Sequence, residues 1–275
     1  MTAGKPGPPG DPVLLSDAIQ TMKVLSGLLL LCFKEYGQGL RDTVSGNFVA
    51  RGMVCLESIF RCWLQGAEQD AWILHRSLLD RLFHLHSLAD RNDFAAFDDF
   101  SFLALYEARH RLLSDPTMRH KAPKSLKKLQ SADRKRYGQL VAAGLKWCRP
   151  KAEEVAKGMT LGFLYRFGYD YASTHVHPTS LDGEADFLRL TSPAPVIPLP
   201  DTTVVRNSIL AQTMLTREAL NTSTMQWRTI IYNFLGQVLG FLGDGNAEYK
   251  ATFLKIGRAG PDFALCKPSG ETHEA

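Results

Sequence analysis

Two polar stripes in this chain carry side chains that could do chemistry. In YRFGYDYASTHVHPTS, residues 165–180, Tyr169, Ser173 and His177 recur at i, i+4 and i+8. On a helix they share roughly one side of the cylinder. Pro178 biases the residue before it away from the αR region, so that helix ends near His177. In DAWILHRSLLDRLFHLHSLAD, residues 70–90, Arg76, Asp80 and His84 recur at the same spacing. An imidazole can take a proton from a hydroxyl, and a guanidinium can hold a developing negative charge. Hydroxyls at Tyr169 and Ser173 can orient an anionic group between them.

The second stripe lies in a coat of apolar residues. Trp72, Ile73, Leu74, Leu78, Leu79, Leu82, Phe83 and Leu85 surround the helix too broadly for a surface element, so it is read as central. Charges in such a helix are costly unless paired. An intrahelical Arg76–Asp80 pair is one solution, and polar groups on a neighbouring helix are another. The expectation is that both stripes line one pocket, with Arg76 within hydrogen-bonding reach of Tyr169, Ser173 or His177.

Around these stripes the apolar periodicity is helical almost throughout. The spacing predicts helices over 13–36, 47–66, 68–90, 93–114, 132–146, 151–176, 203–221 and 224–243. Asp115-Pro116 closes the fourth. No β-hairpin signal and no internal repeat is present. The reading is all-α: a multi-helix bundle of about six to eight helices forming a single domain over 13–245. Residues 1–12, MTAGKPGPPGDP, are Gly/Pro-rich without an apolar core, which makes them a disordered tail rather than a signal peptide. The four prolines within 191–201 make an extended strap, and 246–275 is a C-terminal extension.

Composition narrows the class. The chain has 275 residues and is 45% hydrophobic, ordinary for a globular protein. The apolar run LLLLCF at 28–33 is far shorter than the ~20 residues of a bilayer span, so no membrane partner is expected. Five cysteines without a CxxC pair read as reduced thiols of a cytoplasmic protein. From Arg119 to Arg136 eight basic residues face one acid, Asp133, a local +7 in a chain of net +4 that leaves about −3 elsewhere. This basic linker (116–131, running on to Arg136) is read either as a solvated loop or as a phosphate contact through Lys124, Lys127, Lys128, Arg134 and Arg136. The segment 118–138, MRHKAPKSLKKLQSADRKRYG, holds only one aromatic, Tyr137, and so lacks the stacking residues of a single-strand reader.

Other chemistries fit less well. His175 and His177 with Asp80, Asp170 or His84 could hold a metal, but i, i+2 histidines diverge on a helix and no HExxH or ExxH spacing occurs. Metal and cofactor are therefore both read as none. GxGxxG, GxxxxGK[ST] and GxSxG are absent, which removes Rossmann, P-loop and nucleophile-elbow sites.

The stretch from Phe60 to Phe97 resembles the bacterial family known as domain of unknown function 5677. Its members show an "RS" pair followed by an acid inside an apolar helix, then "Y...S...HP" near the end of a later one. Here these are Arg76-Ser77 with Asp80, then Tyr169, Ser173, His177 and Pro178, within a resemblance covering roughly 45–245. Asp80 departs from the family's usual Glu and is one methylene shorter. The family looks like a relative of the HEPN helical bundles, many of them metal-independent ribonucleases of defence or toxin systems. The resemblance implies RNA or a nucleotide as partner and is compatible with a homodimer. The HEPN pattern of an Arg four to six residues before a His is not met at His175 or His177: Arg166 lies too far back. Arg76 is the candidate to replace it, with His177 as base, Tyr169 and Ser173 orienting phosphate, and Asp80 holding Arg76. The competing reading is a non-catalytic helical scaffold in which the same residues form a buried polar network.

Overall fold

The computed structural model describes residues 11–123, 131–145, 147–177, 180, 183–191 and 201–266. Every regular element among them is helical, and the one β-type contact is an isolated bridge between Trp227 and Leu265. The all-α expectation holds. The helix number does not: twelve α-helices of four or more residues are present among the described residues, against six to eight expected.

The chain divides into two compact units, residues 1–86 with 151–275, and residues 87–150. In the first unit, α1 (Pro12–Tyr36) starts at Asp11, whose carboxylate accepts from the Val13 amide at 2.8 Å, with Pro12 at the first helical position. Its Leu15, Ile19, Met22, Leu25 and Leu29 are buried. By length and composition α1 is also apolar enough to cross a membrane, the one such helix among the described residues. α2 (Gly39–Leu64) and α11 (Thr203–Thr222) make the most extensive helix–helix contact of the unit. A Cβ at Gly52 would meet Leu215 Cδ2 at 2.7 Å and Gln212 Oε1 closer still, so only glycine lets these two backbones approach.

α2 begins eight residues before its expected start because tertiary bonds hold its first turn. The buried Asp42 carboxylate accepts from the Gln38 amide at 2.6 Å, and from the amide and hydroxyl of Thr224 at 2.9 and 2.5 Å. α3 (Glu68–Arg91) buries Leu78, Leu79, Leu82, Phe83 and Leu85 almost completely, as a central helix should. After α11 come α12 (Thr229–Asp244) and α13 (Tyr249–Ala259). α13 lies in the stretch read as an extension, yet it packs on α12 through a fully buried Tyr249 edge-on to Phe234 and Phe241.

The span 151–176 is not one helix. α7 (Ala152–Gly158) stops at Met159, and Thr160 adopts a left-handed φ of 58°. A second segment then runs as a short α-turn α8 (Gly162–Leu164), a π-helix (Tyr165–Asp170) and α9 (Tyr171–Thr174). Glycines at 158 and 162 and the strained threonine make the break local. α10 (Glu184–Thr191) follows; residues 192–200 of the expected strap lie outside the described residues.

The second unit contains α4 (Phe94–Ser114), α5 (Pro116–Lys121) and α6 (Ser131–Ala143). Asp115 closes α4 and caps α5, accepting from the amides of Thr117 and Met118 at 2.8 and 3.1 Å. Trp147 lies against Phe97 and Phe100, and Tyr106 stacks on Tyr137 at 4.3 Å.

Candidate functional site

The two polar stripes meet. From α3, the Arg76 guanidinium donates through Nε to Ser173 Oγ at 2.9 Å and through Nη2 to Tyr169 Oη at 3.2 Å. The Tyr169 hydroxyl in turn donates to Asp80 Oδ1 at 3.0 Å. Ser173 donates to the Tyr169 carbonyl at 2.7 Å, so the serine oxygen is aimed at Arg76 by its own segment. Arg76, Asp80, Tyr169 and Ser173 are all half-buried.

Asp80 holds Arg76 through the Tyr169 hydroxyl, one helical turn along, rather than by a direct intrahelical ion pair. The guanidinium also sits 4.7 Å from the centre of the Tyr169 ring, which Tyr165 stacks against at 5.6 Å. Burial raises the Tyr169 phenol above its ordinary pKa. The Asp80 carboxylate adds to this, while Arg76 opposes it, so Tyr169 keeps its proton at neutral pH.

The guanidinium is used on one edge only. Nε and Nη2 form the side edge, and Ser173 and Tyr169 occupy it. Among the described residues no hydrogen bond engages Nη1. The terminal edge, Nη1 with the second Nη2 proton, has the fork geometry that accepts a carboxylate or phosphate in two parallel bonds.

The π-helix sets the register of this cluster. A π-turn inserts a residue into the helical ladder, and such turns are frequent at functional sites. Gly168, inside it, is pressed on α3: a Cβ there would lie 3.0 Å from both His75 Nε2 and Leu79 Cδ1. His75, the residue before Arg76, falls outside the 76/80/84 polar spacing of α3, so the sequence pattern does not mark it.

It is nonetheless a fixed point. His75 is fully buried, with Nδ1 2.9 Å from Ser208 Oγ. The Ser208 hydroxyl already donates to the Val204 carbonyl at 2.6 Å, so His75 Nδ1 carries the proton and Nε2 is a bare lone pair without a partner. Burial pushes the His75 pKa down to about 3. Trp72 packs edge-on against His75, Tyr171 on Trp72, and His175 on Tyr171, an aromatic series that locks α3 to the segment carrying Tyr169 and Ser173.

His177 is exposed and makes no hydrogen bond or ion pair among the described residues. Hydrogen bonds join Arg76, Asp80, Tyr169 and Ser173 into one cluster, and His177 makes no bond to it among the described residues. Pro178 lies outside the described residues, as do Lys124, Lys127 and Lys128. In the second unit Arg134 is exposed, whereas Arg136 is bound to two carboxylates, Asp98 at 2.6 Å and Asp99 at 2.7 Å, and lies 4.4 Å from the Phe102 ring centre. Among the described residues no three His, Cys, Asp or Glu side chains are grouped to hold a metal ion.

Comparison with known proteins agrees with the residue pattern. No curated protein and no solved structure matches the chain. A family model does, over residues 42–191, more than half of the sequence and including both stripes. With Arg76, Asp80, Tyr169 and Ser173 inside that match and joined by hydrogen bonds, the chain belongs to DUF5677, a family of unknown function.

Proposed function

We propose that the Arg76 cluster binds a phosphate of RNA or of a nucleotide, and that the protein acts there as a HEPN-like, metal-independent ribonuclease of the cytoplasm, in a defence or toxin setting and as a homodimer. The observation that carries the reading is the half-engaged guanidinium. Tyr169 and Ser173 orient Arg76 by its side edge and leave its terminal fork for an anion. In cleavage, His177 removes the 2′-hydroxyl proton, and Arg76 stabilises the charge that builds on the phosphorane. Ser173 and Tyr169 keep the guanidinium in place, and Asp80 accepts from Tyr169 so that its hydroxyl oxygen faces Arg76.

The test is RNA cleavage by the purified chain, and toxicity on expression, for the natural sequence, Arg76→Lys and His177→Ala. Lysine keeps the charge but loses the fork, so Arg76→Lys should reduce activity. His177→Ala should cost ~10²-fold or more in activity and less than ~1 kcal/mol in stability, because an exposed histidine supports little packing.

A scaffold reading is favoured by one observation: the Tyr169 hydroxyl both accepts and donates, closing a chain of bonds between α3 and the π-helix that can serve packing alone. Unchanged specific activity in both variants, with stability lost in Arg76→Lys, selects the scaffold and ends the ribonuclease reading.

A further inference from the structure

A second site lies elsewhere in the first unit, where α11, α12 and α13 border an open cleft of ≈ 790 Å³. Its floor is the α12 backbone, left bare by Gly236 and Gly240. Nothing among the described residues lies within 4 Å of a Cβ built at either position, so no packing contact among them calls for glycine. Glycine inside a helix is destabilising relative to alanine, and two of them one turn apart on an open face need another reason. Close approach of something from outside the chain to the backbone is that reason.

The walls indicate what approaches. Arg217 from α11 and Lys255 from α13 both line the cleft, and neither has an ion-pair or hydrogen-bond partner among the described residues. Gln237 Oε1 is buried without any partner, and the Tyr232 hydroxyl likewise makes no hydrogen bond. Glu248 is the only acid in the lining, and its Oε1 already accepts from Asn246 at 3.0 Å. Two unpaired cations, one with a fork geometry that suits phosphate, thus share a cleft with an idle hydroxyl. The volume falls within the ~300–1,000 Å³ range of small-molecule sites.

We infer that the Gly236/Gly240 cleft is a binding site for a small phosphorylated molecule, its phosphate held by Arg217 and Lys255 and its polar groups beside the Tyr232 hydroxyl. The inference is independent of the Arg76 reading, since it uses none of the same residues.

The test is calorimetric titration of the full chain with AMP and with inorganic pyrophosphate at low salt, alongside Arg217→Ala, Lys255→Ala, Gly240→Leu and Arg76→Ala. The expected result is saturable one-to-one binding of at least one probe, weakened tenfold or more by each loss of a cation. Gly240→Leu should abolish it while melting at or above the natural temperature, because it fills the floor with a better helix former. Binding of AMP alone assigns a nucleotide-like ligand, and binding of both assigns the phosphate group itself. Absence of binding overturns the site, as does binding that survives Arg217→Ala and Lys255→Ala, or binding lost only in Arg76→Ala. Concentration-dependent dimerisation that Gly240→Leu removes also overturns it, because the glycine face then belongs to a second copy of the chain.

Discussion

Arg76 and Ser173, 97 residues apart in the chain, are joined by a 2.9 Å hydrogen bond from a guanidinium Nε to a hydroxyl that is itself anchored to the Tyr169 carbonyl. That bond places the two polar stripes at one site and makes Tyr169 the link between a cation and a carboxylate on the same helix.

Tyr169→Phe keeps the ring over the guanidinium and removes the hydroxyl that serves both Arg76 and Asp80. Two hydrogen bonds to charged groups disappear, at a cost of roughly 1.5–3 kcal/mol each at most and less where water replaces them at these half-buried positions. Urea unfolding should show a loss of about 1–2 kcal/mol. A variant as stable as the natural chain would mean that the link is idle.

Gly168→Ala tests the register of the π-helix. The new methyl would press on His75 Nε2 and Leu79 Cδ1 at 3.0 Å, and neither buried side chain has room to retreat. Overpacking of this kind costs about 1–3 kcal/mol. Because the contact lies next to Tyr169, any phosphate affinity at Arg76 should fall with it. A melting temperature and affinity equal to those of the natural chain would show that the contact relaxes without consequence.

His75 should shape the acid limb of stability. Its folded pKa of about 3 lies below the ordinary 6.5 of the unfolded chain, so between those values the unfolded state binds more protons. The contribution is complete above pH 6.5 and is lost as pH falls from there towards 3. His75→Gln, which can still donate to Ser208 but does not titrate, should flatten stability over pH 4–6.5 relative to the natural chain. Parallel curves would contradict a buried neutral imidazole.

The alkaline limb belongs to tyrosines. Burial raises the Tyr249 pKa strongly, with Asp17 adding to it, and Tyr169 is raised in the same direction. Their folded pKa values lie above the unfolded value of 10, so the stability they supply is present below pH 10 and lost as pH rises beyond it. Melting temperature followed from pH 8 to 11 should drop beyond pH 10, and Tyr249→Phe should make that drop shallower. Absorbance titration should show both phenols ionising above the ordinary tyrosine range, Tyr249 the later of the two.

In the second unit, the two carboxylates on Arg136 leave little of its charge for an outside anion. If nucleic acid binds through the basic segment, Arg134→Ala should reduce the log–log salt slope by nearly one unit and Arg136→Ala by much less. Equal effects would show that Arg136 leaves Asp98 and Asp99 on binding.

How much of this was legible in the residues depends on the range over which each feature is determined. Helical class followed from apolar spacing within single segments. The α4 boundary followed from Asp115-Pro116, because caps and prolines act over a few neighbours. The pairing of Arg76 with Tyr169 and Ser173 could be anticipated because costly polar groups on apolar helices must find one another.

What local patterns could not show, the tertiary structure decided. Asp42 draws α2 back to Gly39 by bonds to Thr224, a partner 182 residues away. Tyr249 recruits the segment after 246 into the core, where a read of periodicity alone left it outside. The π-helix at Tyr165–Asp170 exists where Gly168 packs on His75, so the segment's turn is set by a neighbour rather than by its own propensities. His177 shows the same limit from the other side. Its spacing matches Tyr169 and Ser173 on an ideal 3.6-residue helix, but α9 ends at Thr174, so the helical phase does not carry on to residue 177, and His177 is exposed.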